Sequence, residues 1–122
     1  TWNVSKGDDD VASQSPKSVA VIYHGFLAHG RYPTVRYAAE RMAAAGHAVV
    51  SADFRGHGKS PGLKGYLPSV EELIEDAVGI AEYARSLLQP QESKAKIFLV
   101  GSSMGGAIAL SVAERLGVDK VA

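Results

Sequence analysis

The chain has no cysteine, which excludes disulfides and thiolate metal sites and fits a reducing, cytoplasmic setting. It has no excess of either charge. Thirteen lysines and arginines (13) face 13 aspartates and glutamates, so nothing global draws it to nucleic acid or to an anionic membrane. No apolar run approaches the ~20 residues of a membrane span, and the start carries no signal-peptide pattern. Histidine is confined to positions 24, 29, 47 and 57, so none follows residue 57. At 122 residues the chain is one domain or part of one, large enough for a real core. It opens on Thr1 and closes on Val118-Asp119-Lys120-Val121-Ala122, which reads as the opening of another strand. Both ends are therefore expected to be cut, with residues 1–122 a partial domain.

The pattern that is present alternates strands and helices. Thr1 to Val4 is a short strand candidate, and Ser5 to Lys17 reads as a solvated connection between strands. Its Asp8-Asp9-Asp10 lacks the alternating spacing of a calcium loop and is read as a charged turn. Val19-Ala20-Val21-Ile22-Tyr23 is a continuous apolar run suited to a strand covered on both faces. A helix follows, with Val35, Ala38, Ala39, Met42 and Ala45 on one face and Gly46 at the stop. His47 to Asp53 is the next buried strand. Ser69 caps a helix with Glu72 three residues on, and its apolar stripe runs Val70, Leu73, Ala77, Ile80, Ala84, Leu87. Ala95 to Val100 is another strand and Met104 to Leu116 another helix, ended by Gly117. Apolar strands joined by helical crossovers predict an α/β fold, a mostly parallel sheet with helices on both faces. Functional groups in such sheets gather at the carboxyl ends of strands. The unusual loops lie there: His24-Gly25-Phe26, Asp53 to Ser60, and Gly101 to Gly106.

Gly101-Ser102-Ser103-Met104-Gly105-Gly106 joins the last of these strands to the last helix. A serine at a sharp strand-to-helix turn is one way of presenting a nucleophile. Ser103 at the tip is expected at positive φ, and side chains at 101 or 105 would collide with nearby backbone. Acyl transfer also needs donors for the oxygen that becomes negative and a base for the hydroxyl proton. The Met104 N–H at the helix start would be one donor, and the Phe26 N–H the other, with Gly25 allowing close approach. His24 more plausibly shapes that loop than transfers protons. In this turn type the acid and base follow the nucleophile along the chain, and no histidine does. His57 as an out-of-order base is the weaker alternative. The missing base argues for truncation, and the fragment alone is expected to be inactive.

Two further readings attach to the glycines. Arg55-Gly56-His57-Gly58-Lys59-Ser60 could cradle a phosphate, with Arg55 and Lys59 suiting an anion. No helix opens directly after it, and Pro61, Gly62 and Gly65 prolong the loop, so a tight structural loop is preferred. Gly101 to Gly106 could likewise hold a nucleotide at a helix N-terminus, but neither G-x-G-x-x-G nor a G-K-[ST] ending is present.

These motifs, in order, resemble the α/β-hydrolase superfamily, and within it the monoacylglycerol lipase and lysophospholipase branch of serine-aminopeptidase-like hydrolases. The resemblance is carried by His24-Gly25-Phe26 with His29-Gly30-Arg31-Tyr32, by Asp53-Phe54-Arg55-Gly56-His57-Gly58-Lys59-Ser60, and by the segment around Ser103. It runs from about Val19 to Ala122. It implies a serine hydrolase of monoacylglycerols or lysophospholipids, without cofactor or metal. Ser103 would be the nucleophile, Phe26 and Met104 the oxyanion hole, and His24, Gly25, Gly101 and Gly105 its support. The cap, acid and base would lie beyond residue 122, and the cap would make any peripheral membrane contact. Ala28 stands where the family often has an acidic residue, and Ser102 where lipase relatives often have histidine. Esterases of aromatic, caffeoylshikimate-type esters and peptidases share the scaffold. A different class of reading is a non-catalytic hydrolase-fold protein that binds a small molecule.

Overall fold

A computed structural model of the chain describes residues 4–6, 18–62, 65, 69–88, 96–117 and 119–122. Strand β2, Val19–Tyr23, is buried along its whole length because it lies inside the sheet. It pairs in parallel with β3, Ala48–Ala52, on one side and with β4, Phe98–Gly101, on the other. The register sets Val21 beside Val50 and Leu99. Strand β1, Val4–Lys6, adds to the far side of β3 in the antiparallel sense, giving the order β1-β3-β2-β4.

Helices cover both faces, as the alternation of side chains along β2 requires. Val19, Val21 and Tyr23 point into the larger core, with Leu73, Ala77, Ile80 and Ala84 of α2, Val70–Ser86, and Ile108 and Val112 of α3, Met104–Leu116. Ile22 and Val49 point the other way and meet Val35 and Ala43 of α1, Pro33–Ala44. Pro33 suits the first turn of α1, where its missing N–H removes nothing. Ser69 caps α2, its Oγ accepting from the Glu72 N–H at 3.0 Å. Inside the larger core the Tyr23 ring stacks on Phe54 at 5.8 Å, and its hydroxyl donates to the Ala77 carbonyl of α2 at 2.8 Å. Burial pushes that phenol's pKa well above its ordinary value.

Several elements differ from the sequence reading. The first strand, as described, covers Val4–Lys6, so Ser5 and Lys6 belong to a strand and not to a connection, while residues 1–3 and 7–17 lie outside the described residues. Its backbone pairing with Ala52, Ser51 and Val50 needs no apolar signal. The triple aspartate also lies outside the described residues. Val70 is 73 % exposed at the first residue of α2, and Ala81 joins the buried face in its place. Ala45 is exposed because it caps α1 instead of continuing it. The last strand begins at Phe98 and runs into Gly101, and it is only half-buried. Beyond β4 the described pairing is a single parallel bridge, from Ile97 to Val121.

Because β2, β3 and β4 are parallel, the loops that leave them emerge at one edge of the sheet. No helix among the described residues is long and apolar enough to cross a membrane. Ile80 is 1 % exposed at the centre of the α2 interface. Replacing it with alanine should cost about 3 kcal/mol of unfolding free energy, against under about 0.5 kcal/mol for Val70→Ala. Urea unfolding of the two variants side by side checks the difference.

Candidate active site

At the end of β4 the chain reverses into α3 within two residues, Ser102 and Ser103. The turn is closed by backbone bonds: Ser102 N–H to the Tyr23 carbonyl at 3.3 Å, and Gly105 N–H to the Ser102 carbonyl at 2.9 Å. The close approach leaves no room for side chains. A Cβ at position 101 would run into the Gly105 carbonyl, and one at 105 into the Tyr23 carbonyl. With both flanks pressed together, the bend falls on Ser103, which takes φ 56° and ψ −117°. An L-residue holds such angles at a cost of about 1–3 kcal/mol, and only where its surroundings impose them.

A serine preceding a helix usually turns its hydroxyl onto the helix N–H groups. Ser103 does not: it makes no side-chain cap bond, is exposed, and its Oγ has no hydrogen-bond partner among the described residues. The hydroxyl is left uncommitted at the N-terminus of a 13-residue helix, where the backbone dipole favours negative charge.

The loop after β2 lies directly against this turn. A Cβ on Gly25 would sit 3.5 Å from the Ser103 Cβ and 3.2 Å from the Ser102 carbonyl. Residues 25–28 form a tight turn, with the Ala28 N–H donating to the Gly25 carbonyl at 3.1 Å. Among the described residues, neither the Phe26 N–H nor the Met104 N–H is donated to another group. Strand ends thus bring Gly25 against Ser103 and Gly101 against Gly105, with Phe26 and Met104 their neighbours in the chain.

His24 holds this loop and is fully buried. The Phe54 N–H donates to its Nε2 at 3.0 Å, so the ring proton sits on Nδ1 and is donated to the Gly25 carbonyl at 2.8 Å. Burial lowers its pKa from the ordinary value, only partly opposed by the Gly25 bond. With both nitrogens spent, His24 is a neutral fastener rather than a proton carrier.

Each of the other histidines has its Nδ1 hydrogen-bonded elsewhere, and the buried His57 Nε2 has no partner among the described residues. His57 is buried, with Nδ1 on the Arg55 carbonyl at 3.1 Å and its ring against His24 and Phe26. His29 accepts from the Arg31 N–H, and His47 pairs with Ser18. No histidine is hydrogen-bonded to Ser103 among the described residues.

Asp53, at the end of β3, has a role that its place in a motif did not reveal. Its buried carboxylate accepts from the Gly30 N–H at 2.6 Å and the Lys59 N–H at 2.9 Å, tying the loops after β2 and β3 together. A Cβ at Gly58 would strike this carboxylate. Burial alone would raise the Asp53 pKa. The N–H groups of Lys59 and Gly30 are the main causes that outweigh it and hold the carboxyl below its ordinary range. Arg55, which could have suited an anion, is engaged by Asp76 of α2 through two bonds of 2.7 and 2.8 Å. An aspartate closing a strand before Gly-x-Gly was the available signal for the first tie. Nothing local marks the second.

Parallel strands with crossover helices, and a serine at the last strand-to-helix junction, define an α/β-hydrolase core. Among solved structures, Est1E from Butyrivibrio proteoclasticus, with ferulic acid bound, aligns with a TM-score of 0.79 over 94 % of this chain and 44 % of that one, at 23 % identity. The monoacylglycerol lipase of Paleococcus ferrophilus aligns with a TM-score of 0.68 over 98 % of this chain and 40 % of that one, at 30 % identity. The chain belongs to the hydrolase family described as serine aminopeptidase, S33, whose model matches residues 14–119. It is 38 % identical over 104 residues to a monoacylglycerol lipase of Mycolicibacterium smegmatis, covering 82 % of this chain and 34 % of that protein. It is 33 % identical over 96 residues to the phospholipase YtpA of Bacillus subtilis, covering 78 % and 34 %. The chain thus spans about a third of the length of these curated relatives.

The depressed Asp53 pKa carries a sign. A carboxyl with a folded pKa below its unfolded one stabilises the fold above the ordinary carboxylate range, and that stabilisation is lost as pH falls through the folded pKa. Asp53→Asn should cost about 2–3 kcal/mol at neutral pH, because an amide cannot accept from both N–H groups. It should also flatten the acid limb of the stability profile, read by denaturant unfolding between about pH 7 and 3.

Proposed function

We propose that the protein is a carboxylic ester hydrolase in which Ser103 is the nucleophile. The observation that carries this is the uncommitted, exposed hydroxyl at φ 56°, with the Gly25 backbone packed against it. The Ser103 Oγ attacks the ester carbonyl, and the developing oxyanion is held by the N–H groups of Phe26 and Met104. Each donor is worth about 3–4 kcal/mol of transition-state stabilisation. A base takes the hydroxyl proton and returns it to the departing alcohol, leaving an acyl-enzyme that water then hydrolyses. Residues 1–122 form part of an α/β-hydrolase domain, and the acid, the base and the cap lie beyond residue 122.

Monoacylglycerols or lysophospholipids are the substrates we favour. The support is the resemblance to proteins named as a monoacylglycerol lipase and a phospholipase, at 38 % and 33 % identity.

The test is covalent. Full-length protein treated with a fluorophosphonate probe should carry the adduct on Ser103, and Ser103→Ala should abolish both the adduct and ester turnover. Absence of any adduct on the intact protein would favour a non-catalytic binder and sink the hydrolase reading. Residues 1–122 alone should show no saturable ester hydrolysis.

A further inference from the structure

Leu27 is, with Ser103, one of two non-glycine residues at positive φ among the described residues, at 63°. It is the third residue of the Gly25–Ala28 turn, a position where positive φ favours glycine or asparagine. Strain of that kind at a bulky side chain persists when the side chain does something a glycine could not. Core packing is not that reason, because Leu27 is 63 % exposed and Phe26 beside it 53 %. Among the described residues Leu27 lies against Gly65, where a Cβ would stand 3.0 Å from a Leu27 methyl. The missing side chain at Gly65 therefore leaves space for Leu27. The result is an apolar pair standing on the loop whose Gly25 lies against Ser103.

We propose that Leu27 is a specificity-determining residue, held in a strained turn so that its side chain meets the acyl chain of the ester where that chain leaves Ser103. This rests on the ester-hydrolase reading above, and deepens it by naming a residue that selects long, apolar acyl groups. An acyl chain laid over Leu27 exchanges two water-exposed apolar surfaces for one contact, which strengthens binding as the chain lengthens.

Full-length Leu27→Gly removes the strain and the contact together. Its melting temperature should rise by about 2–4 °C. The ratio of kcat/KM for a ten-carbon over a two-carbon acyl ester of the same alcohol should fall about five- to tenfold, with the loss carried in KM. Leu27→Met, which keeps an apolar side chain of similar size, should retain the preference. A lower melting temperature for Leu27→Gly with an unchanged ratio would overturn the proposal, because Leu27 would then be packing against protein. An equal loss of preference in Leu27→Met and Leu27→Gly would overturn it too. Fluorophosphonate labelling of unsubstituted protein separates the two levels: labelling at Ser103 with a flat chain-length profile in every variant defeats only the Leu27 proposal, whereas no labelling defeats the hydrolase reading beneath it.

Discussion

The structure turns on how closely three backbone segments meet at one point. The ends of β2 and β4 and the first turn of α3 approach until carbonyls stand where side chains at 101 and 105 would otherwise be. Two glycines make that approach possible, and Ser103 absorbs the bend it creates. The energy that holds the serine in an unfavourable conformation comes from the packing of α3 on the sheet. Ile108 and Val112 of α3 share a core with Val21 and Tyr23 of β2. The burial of apolar side chains at some distance from the turn is thus what keeps the hydroxyl exposed and unpaired.

The same economy governs the loops around it. They contain little regular structure, yet they are fixed by two buried polar side chains that face inward. His24 joins the Gly25 carbonyl to the Phe54 N–H, and Asp53 joins the Gly30 N–H to the Lys59 N–H. His24 takes up the Phe54 N–H and Asp53 the Gly30 N–H, buried groups with no other acceptor among the described residues, whose loss would be a considerable penalty in a dry interior. Both side chains sit at the carboxyl end of a strand, so rigidity passes from the sheet into the loops through one residue apiece. Precise placement of the Gly25 backbone against Ser103 depends on that transfer.

What could be read from the sequence was local, and what could not was distant. The apolar run of β2, the Ser69 cap with its partner Glu72, and the glycines flanking Ser103 each announce themselves within a few residues. The tie from Asp53 to Gly30 spans 23 residues and that from Arg55 to Asp76 spans 21, and neither distance leaves a periodic trace. Val70 fits the stripe of α2 in spacing but stands at its first residue, exposed. The short strand β1 is described through its backbone pairing to β3, to which a hydropathy pattern is blind. Leu27 is the sharpest case. Leucine carries no turn signal, and only the folded chain reveals the left-handed backbone beneath it.

The Tyr23 phenol, buried and bonded to the Ala77 carbonyl, has one more consequence. Its raised pKa means that the folded protein resists forming a phenolate there. In alkaline solution the unfolded chain ionises this group first, so each further rise in pH draws the equilibrium toward unfolding until the raised pKa is passed. Release of that proton is therefore linked to opening of the α2–sheet interface. Set against a Tyr23→Phe variant, to remove the signal of the other four tyrosines, the alkaline ultraviolet absorbance would report the opening of the larger core.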